Sequence, residues 1–399
     1  KAEGTEVEIF GDKFNHQFEN ENSGAYTVKF GVFNPNGKLT SEIYSVDVGT
    51  VNISTLDEFH NLAVNGGDAN KIYLLQNDLD FSVYAWTVGQ SGFVGLLDGQ
   101  GYTVKGITST ASKDGDANVF SSLKGGTIMN ITFEDIRITN SGTKVGIIAE
   151  AYGGYLYNIK LKNIFVLSNS QRAGSLVGQA LEASMPLYID RVSLINDRDD
   201  TGVYADTQRA GGIVGFIQAT SAPTLDLEVY ISNCFVDATI EGTSGQAGGI
   251  VGTYDTQKTT INFTLEISNC YFAGVCKSGN RAGGILGYQQ GVGKLRITNC
   301  LNYGDLYHAG STAPITVAEK NCSGIIGGYV TTADCIITNC FAKFEEHNAD
   351  YGVSVVPLGR LQDKSFWVTW MFLDMENIWE YIESPDNENL LVGTFVTLK

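Results

Sequence analysis

The sequence predicts an all-β fold, a right-handed parallel β-helix with three short strands in each coil. The first observation behind this prediction is a phrase of the form Ala-Gly-Gly-Ile-Val-Gly that recurs between residues 173 and 327. Its closing glycines lie 37, 37, 35 and 40 residues apart, at Gly178, Gly215, Gly252, Gly287 and Gly327. A second phrase, Ile-Ser/Thr-Asn-Cys, alternates with the first. A fixed period of this size is typical of stacked supersecondary units that share one continuous core.

Composition is the second kind of evidence. The chain contains 47 glycines, only 18% charged residues and few helix-forming runs, which favours many short strands joined by tight turns. Because no helical pattern separates the strands, the repeats predict a β-helix rather than an α/β solenoid. The net charge of −18 argues against binding to nucleic acid or to an anionic membrane surface. No apolar run approaches the ~18 residues of a membrane-spanning helix, so we expect no membrane insertion. We also expect the protein to be a monomer.

Residues 1–49 differ from the repeats and predict a short antiparallel β module. Residues 25–33 and 43–48 alternate between apolar and polar side chains, and Asn34-Pro35-Asn36-Gly37 between them is a turn sequence. The hairpin resembles the last two strands of an immunoglobulin-like or PKD-like domain. Fewer than fifty residues cannot form that whole sandwich, so we expect a partial module.

Residues 50–399 are assigned to the β-helix. Residues 50–70 contain a capping-box sequence, in which Ser54 or Thr55 is followed three residues later by Asp57 or Glu58, and predict a helix that covers the open end of the solenoid. Residues 71–345 form the coils. Residues 346–399 hold three of the four tryptophans and predict a C-terminal cap over the last coil, with a sugar-stacking platform as the alternative.

The second phrase predicts one corner of the coil. Its asparagines would stack as a ladder of hydrogen-bonded side chains, at Asn233, Asn269, Asn299 and Asn339. Cysteines follow these asparagines, and we interpret them as free thiols that fill the core as small apolar side chains. The glycine pair of the first phrase would permit either a positive φ or a close approach of two backbones at another corner.

Two sets of motifs resemble the GLUG-motif proteins of bacterial cell surfaces. The repeats carry the resemblance at Gly248–Gly252 and Ile267–Tyr271, and the entry region carries it at Leu74–Asp80, Trp86 and Phe93–Tyr102. The resemblance covers about residues 50–390 and implies a secreted or surface-anchored protein of the kind common in gut Bacteroidetes. Some relatives attach such repeats to a zinc peptidase that cleaves immunoglobulin A. That enzyme requires an H-E-x-x-H helix, which this sequence lacks.

A column of basic residues is the first candidate for ligand binding. Arg172, Arg209 and Arg281 each lie two residues before the first glycine of a repeat, a position filled by Gln246 and Asn321 in other repeats. Guanidinium groups stacked on successive coils could bind an acidic glycan through bidentate contacts. Alternatively, they could pair with local carboxylates such as Asp206 and close the corner.

Aromatic residues just after the first phrase are the second candidate. Tyr254 and Tyr288 occupy this position together with Phe216 and Tyr329. These aromatic residues fall on alternating faces of the strand, so some of them belong to the core. Those that are exposed could stack on sugar rings.

A possible calcium site is the third candidate. Asp197, Asp199 and Asp200 lie in a loop that lengthens the repeat, and clustered carboxylates are ligands that Ca²⁺ favours. The alternative is a solvated acidic loop. The repeats contain no tight pair of carboxylates, so we predict no catalytic residues and no other cofactor.

These observations predict a secreted or cell-surface protein that binds a glycan or another host or extracellular ligand along its β-helix, without catalysis. A polysaccharide lyase or glycoside hydrolase on the same scaffold is one alternative. A structural spacer that holds another domain away from the cell is the other.

Overall fold

The computed structural model describes residues 24–33, 39–111, 117–140, 142–219, 223–256, 262–308, 310–316, 321–328, 334–343, 353–369, 371, 373–381 and 396–398. The chain divides into two compact units, Lys1–Thr50 and Val51–Lys399. In the first unit, the strand Gly24–Phe33 pairs antiparallel with the strand that begins at Leu39 and ends at Ile53. This confirms the predicted hairpin. The turn at residues 34–37 lies outside the described residues, and the immunoglobulin-like or PKD-like resemblance stays a prediction.

The second unit begins with the predicted capping-box helix, Leu56–Asn65. The Thr55 hydroxyl accepts a hydrogen bond from the Glu58 backbone N–H, and the Glu58 carboxylate accepts one from the Thr55 N–H at 3.0 Å. These bonds satisfy N–H groups that a helix start leaves without partners. Phe59, on the buried face, contacts the aromatic rings of Phe81 and Phe120, so the helix packs directly onto the first coils.

The described residues of the second unit form four parallel sheets, and adjacent strands come from successive coils. Sheet 1 contains Lys71–Leu75, Leu79–Asp80, Leu96–Asp98, Thr103–Lys105, Thr127–Glu134, Gly154–Lys162, Leu187–Ile195, Leu227–Ser232, Phe235–Asp237, Phe263–Ser268, Tyr271–Phe272, Lys294–Thr298, Leu301–Asn302, Cys335–Thr338, Phe341–Ala342 and Ser354–Val355. Sheet 2 contains Thr108–Ala111, Arg137–Asn140, Phe165–Ser168, Gly202–Ala205, Thr239–Gly242, Val275–Ser278 and Asp305–Tyr307.

The other two sheets complete each coil. Sheet 3 contains Lys144–Val145, Arg172–Gly174, Arg209–Gly211, Gln246–Gly248, Arg281–Gly283 and Cys322–Ser323. Sheet 4 contains Gly92–Phe93, Phe120–Lys124, Ile148–Tyr152, Val177–Ala180, Val214–Gln218, Val251–Thr256 and Leu286–Gly291. The strands within these four sheets pair in parallel, and crossovers between parallel strands are right-handed as a general rule, so the predicted right-handed parallel β-helix is confirmed.

Each full coil contains four or five strand segments where the sequence predicts three strands. In the coil that begins at Leu227, one predicted strand is bent at Asn233 and another is bent after Gly248. Counting each bent strand once restores the predicted number. The two repeated phrases therefore mark the two sharp bends of the coil.

The asparagine phrase forms the predicted ladder at the bend of sheet 1. Asn269, Asn299 and Asn339 have φ values of 51–53°, and each side-chain amide donates to the side-chain oxygen of the asparagine one coil earlier, at 2.9–3.3 Å. Arg191 occupies the ladder position of one coil, so the Asn233 amide donates instead to Asp190, at 2.7 Å. Asparagine suits this corner because it tolerates the left-handed conformation and supplies both a donor and an acceptor.

Replacing Asn299 tests the ladder. Asn299→Ala removes two ladder hydrogen bonds, worth about 0.5–1.5 kcal/mol each, and places an ordinary side chain in the left-handed region, at about 1–2 kcal/mol. Asn299→Gly removes the same bonds without the conformational strain. We expect both variants to unfold at lower urea concentration and the alanine variant to be the less stable. Equal urea midpoints for alanine and glycine would contradict the role of the backbone conformation.

Cysteines next to the ladder point into the core, as predicted. Cys234, Cys270, Cys300 and Cys340 are buried free thiols, and burial raises the pKa of Cys270 and Cys300 well above its usual value. The Cys270 thiol donates to the Ser268 carbonyl at 3.2 Å. A buried thiol with a high pKa remains protonated and behaves as a small apolar side chain.

The described C-terminal residues cover a flank of the β-helix, which differs from the predicted position over the last coil. They contain the helices Leu358–Leu361 and Lys364–Thr369 and the antiparallel pair Trp379–Tyr381 and Val396–Leu398. Trp367, Phe366 and Trp379 pack in one apolar cluster with an outward row of sheet 1, formed by Phe235, Tyr271, Leu301 and Phe341. This row would otherwise expose a continuous apolar stripe on four coils, which explains why the segment lies there.

Candidate functional site

The predicted basic column exists and is longer than the sequence analysis suggested. Arg172 pairs with Arg209, Arg209 with Gln246, and Gln246 with Arg281 on successive strands of sheet 3. Lys144 precedes them, paired with Arg172. We call these five residues, Lys144 to Arg281, the basic column. Lys144 lies before the degenerate phrase Val145-Gly146-Ile147-Ile148, which is one residue shorter than its later copies and so hides the match.

The side chains of the basic column lie over an outward row of sheet 4. Register places the members of this row on successive coils, and we call them the facing row: Glu150, Gln179, Phe216, Thr253 and Tyr288. Phe216 is fully buried, yet it is not part of the continuous core that includes Val214 and Ile217. It is covered from outside, because the guanidinium groups of Arg172 and Arg209 lie 4.6 and 4.1 Å from its ring centroid.

The remaining contacts show how the column is held in place. The Arg281 guanidinium lies 3.9 Å from the ring centroid of Tyr288, and Arg172 donates to the Gln179 side chain at 2.5 Å. Within the described residues, no ion pair joins Arg209 or Arg281 to a carboxylate. The alternative in which local carboxylates such as Asp206 pair with the column is thus not what holds these two arginines. Aromatic rings and neutral side chains position them instead.

Glycines make this close arrangement possible. A β-carbon on Gly248 would lie 1.9 Å from the Val251 carbonyl oxygen and 2.5 Å from the Gly287 nitrogen. Of the two predicted roles for the glycine pair, the structure supports close backbone approach, since Gly248 does not adopt a positive φ. Sheets 3 and 4 therefore meet at a bend too tight for any side chain.

A polar pocket lies at the N-terminal end of the facing row. Its volume is about 590 Å³, and its lining residues are Val88, Gly89, Gln90, Ser91, Gly92, Asn118, Ser121, Ser122, Lys124, Glu150 and Tyr152. Glu150 forms an ion pair with Lys144 and accepts a hydrogen bond from the Tyr152 hydroxyl at 3.2 Å. Among the described residues of this lining, Glu150 is the one acidic side chain. The pocket could not be predicted from the sequence, because its residues come from three coils and share no repeated phrase.

Two predicted tyrosines have different surroundings. Tyr254 is fully buried in the continuous core, and its hydroxyl donates to the Lys294 carbonyl at 3.2 Å. The prediction that Tyr254 contacts a ligand is therefore wrong, because its position in the strand points inward. Tyr288 is partly exposed in the facing row, beneath Arg281.

The acidic loop does not gather its carboxylates. Asp200 forms ion pairs with Arg137 at 3.0 Å and Arg198 at 3.2 Å, while Arg198 also pairs with Asp135. Among the residues that the structure describes, which include Asp197 and Asp199, no group of three or more His, Cys, Asp or Glu side chains could hold a metal ion. The loop's charge is thus partly neutralised by arginines rather than arranged as a calcium site.

A stack of tyrosines on sheet 1 was not predicted. The rings of Tyr155 and Tyr188 are 5.0 Å apart and nearly parallel, as are those of Tyr188 and Tyr230 at 5.2 Å. Each tyrosine lies three residues before a ladder position, a signal that the sequence does contain. Because the rings stack on one another, most ring faces are already occupied, and Tyr155, at the N-terminal end of the stack, is 41% exposed.

Comparison with known proteins agrees with the fold. No protein-family model and no curated protein matches the sequence. A solved structure from Bacteroides ovatus, described as a putative immunoglobulin A1 protease, resembles this chain with a TM-score of 0.56 and 17% identity. The likeness covers 84% of this chain and 90% of that chain. At this identity it shows the fold alone, and it defines the present chain as a parallel β-helix protein.

Proposed function

We propose that this protein is a secreted or surface-held binding protein that recognises a carbohydrate in the pocket beside Glu150. The observation that supports this most is the pocket itself, whose lining offers amide, hydroxyl and carboxylate groups from Gln90, Asn118, Tyr152 and Glu150. Such groups match the alternating donors and acceptors of sugar hydroxyls. Within the described residues, no helix is long and apolar enough to cross a membrane.

The chemistry of the pocket favours binding over hydrolysis. Glycoside hydrolysis ordinarily uses two carboxyl groups, one as acid and one as base or nucleophile. Glu150 has no acidic companion in the described lining and is engaged by Lys144. The resemblance to surface proteins of gut bacteria supports an extracellular location and leaves the protease activity of some relatives aside, since H-E-x-x-H is absent from the sequence.

A glycan array, read for both retention and depolymerisation, tests this proposal. We expect retention of at least one carbohydrate class and no shortened products. New reducing ends would support the lyase or hydrolase alternative, and no retention on the array would contradict the proposal.

Tyr152→Phe tests the location of the site. Loss of one hydroxyl from the pocket removes a hydrogen bond worth about 0.5–1.5 kcal/mol, so we expect the affinity for the retained carbohydrate to fall about 2–10-fold. Tyr307→Phe is the matched control, because Tyr307 lies on sheet 2 beneath Lys277 and away from the pocket. Isothermal titration calorimetry compares the three proteins. Equal losses in both variants would place the binding site elsewhere.

A further inference from the structure

We infer that the basic column binds an acidic polysaccharide whose chain runs parallel to the axis of the β-helix. The inference rests on the proposed function, names the class of carbohydrate and extends the site from the pocket to the neighbouring basic column. It begins with the arginines of the described residues. Four of them pair with aspartates within 3.6 Å: Arg137, Arg191, Arg198 and Arg296.

Arg209 and Arg281 depart from this pattern in a chain of net charge −18. In the part of the chain that the structure describes, neither forms an ion pair, although aspartates and glutamates outnumber lysines and arginines by 44 to 26 in the sequence. In a chain with an excess of carboxylates, we would expect these two arginines to form ion pairs if their only role were structural. Guanidinium groups that form no ion pair on a partly exposed surface favour the binding of an anion from outside the chain.

Burial strengthens this argument. The Nε atom of Arg209 is buried without a hydrogen-bond partner, and its terminal nitrogen donates to the neutral Gln208 side chain. Burial lowers the pKa of Arg209, because the cation has lost hydration and the charge of the Asp255 carboxylate, which forms no ion pair with it in the described residues, offsets only part of that loss. A carboxylate or sulfate in contact with the guanidinium would offset that loss.

The geometry determines how the ligand charges must be arranged. Successive coils lie about 4.8 Å apart, so the two steps from Arg209 through Gln246 to Arg281 separate these arginines by roughly 10 Å along the axis. Both guanidinium planes rest on aromatic rings, Phe216 and Tyr288, which restrict their orientation. A linear chain with anionic groups recurring at about 5 or 10 Å therefore meets more than one arginine at once, and avidity increases its affinity.

The neighbouring pocket favours a polysaccharide over other polyanions. The basic column leads directly to the pocket through Lys144 and Glu150, so one chain could place its charges on the column and its hydroxyls in the pocket. Nucleic acid requires a broad basic surface, which the net charge of −18 does not provide. Acidic peptides and nucleic acids become outcomes of the test.

Calorimetry with defined probes tests the inference. The probes are oligogalacturonate and dextran sulfate as acidic polysaccharides, dextran as the neutral one, and polyglutamate and single-stranded DNA as other polyanions, all at 150 mM NaCl. We expect the wild-type protein to bind at least one acidic polysaccharide at least tenfold more tightly than dextran, polyglutamate or DNA. Equal affinity for dextran, or tighter binding of polyglutamate or DNA, would overturn the inference.

Paired variants locate the effect. We expect Arg209→Gln with Arg281→Gln to weaken binding of the acidic polysaccharide about 100-fold, about tenfold for each lost charged contact. The double variant Arg137→Gln with Arg296→Gln changes the net charge by the same amount, at arginines outside the basic column that pair with aspartates. We expect it to change the affinity for the acidic polysaccharide less than threefold. Equal losses in the two double variants would mean that only overall charge matters, and would overturn the inference.

A conservative variant keeps the test valid if Arg209→Gln exposes Phe216 and unfolds the corner. Arg209→Lys retains the charge but loses the bidentate fork, so we expect an intermediate loss with an unchanged melting temperature. A third outcome is that the protein binds dextran, that Tyr152→Phe weakens this binding and that the arginine variants do not. This result would support the proposed function and contradict the inference of an acidic polysaccharide. Absence of carbohydrate binding altogether would remove both.

Discussion

Gly248→Ala is expected to destabilise the protein strongly. The new β-carbon would lie 1.9 Å from the Val251 carbonyl oxygen and 2.5 Å from the Gly287 nitrogen, both of them backbone atoms held by neighbouring strands. Backbone atoms cannot move aside as a flexible side chain can. We therefore expect a cost at or above the upper end of the ~1–3 kcal/mol typical of overpacked cores, measured as a lower urea midpoint.

Gly101→Ala provides the comparison. A β-carbon at Gly101 meets no atom within 4 Å, but its φ of 83° disfavours other residues. Its cost should reflect conformation alone, about 1–2 kcal/mol. A Gly101 variant as damaging as the Gly248 variant would show that the close approach of sheets 3 and 4 is not the main constraint.

Trp367→Ala is expected to produce the second large loss. Trp367 is fully buried between the C-terminal segment and sheet 1, its ring lies 5.4 Å from that of Tyr271, and its indole N–H donates to the Leu361 carbonyl at 2.9 Å. Truncation of a buried tryptophan typically costs about 3–5 kcal/mol. We expect the variant to bind a hydrophobic dye and to be cleaved within residues 353–381 by trypsin at concentrations that leave the wild type intact.

Val368→Ala is the matched control for this result. Val368 is the next residue of the same helix and is 48% exposed, so its truncation should change stability by no more than about 0.5 kcal/mol. Similar dye binding and proteolysis in both variants would contradict the interpretation that the tryptophan attaches the segment to the flank of the β-helix.

The repeated phrases made the architecture predictable because each phrase has a local physical cause. An asparagine at the corner satisfies a left-handed backbone and a hydrogen-bond ladder at once, and this need is the same in every coil. The capping box of Thr55 and Glu58 is similarly local, since all its partners lie within four residues. Features of this kind leave a pattern that can be read along one chain.

The C-terminal segment shows where that approach fails. Its tryptophans indicate that it covers something apolar, but not which surface it covers. The answer depends on the outward row that contains Phe235 and Tyr271, which lie 132 and 96 residues before Trp367 in the chain. The apolar flank of sheet 1 and the apolar side chains of the C-terminal segment can be matched only once the coils have stacked.

The candidate site was partly predictable for the same reason. Arg172, Arg209 and Arg281 share a repeat position, so the sequence predicted that they would form a column. The prediction for Tyr254 was wrong, because a shift by one residue along a strand moves a side chain from the surface to the core. The pocket at Glu150 combines residues 88–92, 118–124 and 150–152, which meet only when the coils stack.

By itself, the sequence determined the parallel β-helix, its asparagine ladder and the register that aligns the basic residues, because period and turn chemistry are local properties repeated in every coil. Only the tertiary structure decided what those residues face. The bend between sheets 3 and 4 places Arg209 on Phe216 and Arg281 on Tyr288, without an ion pair in the described residues, and joins the column to a pocket. Contacts across coils and sheets depend on where side chains converge in space, and spacing along the chain does not record that.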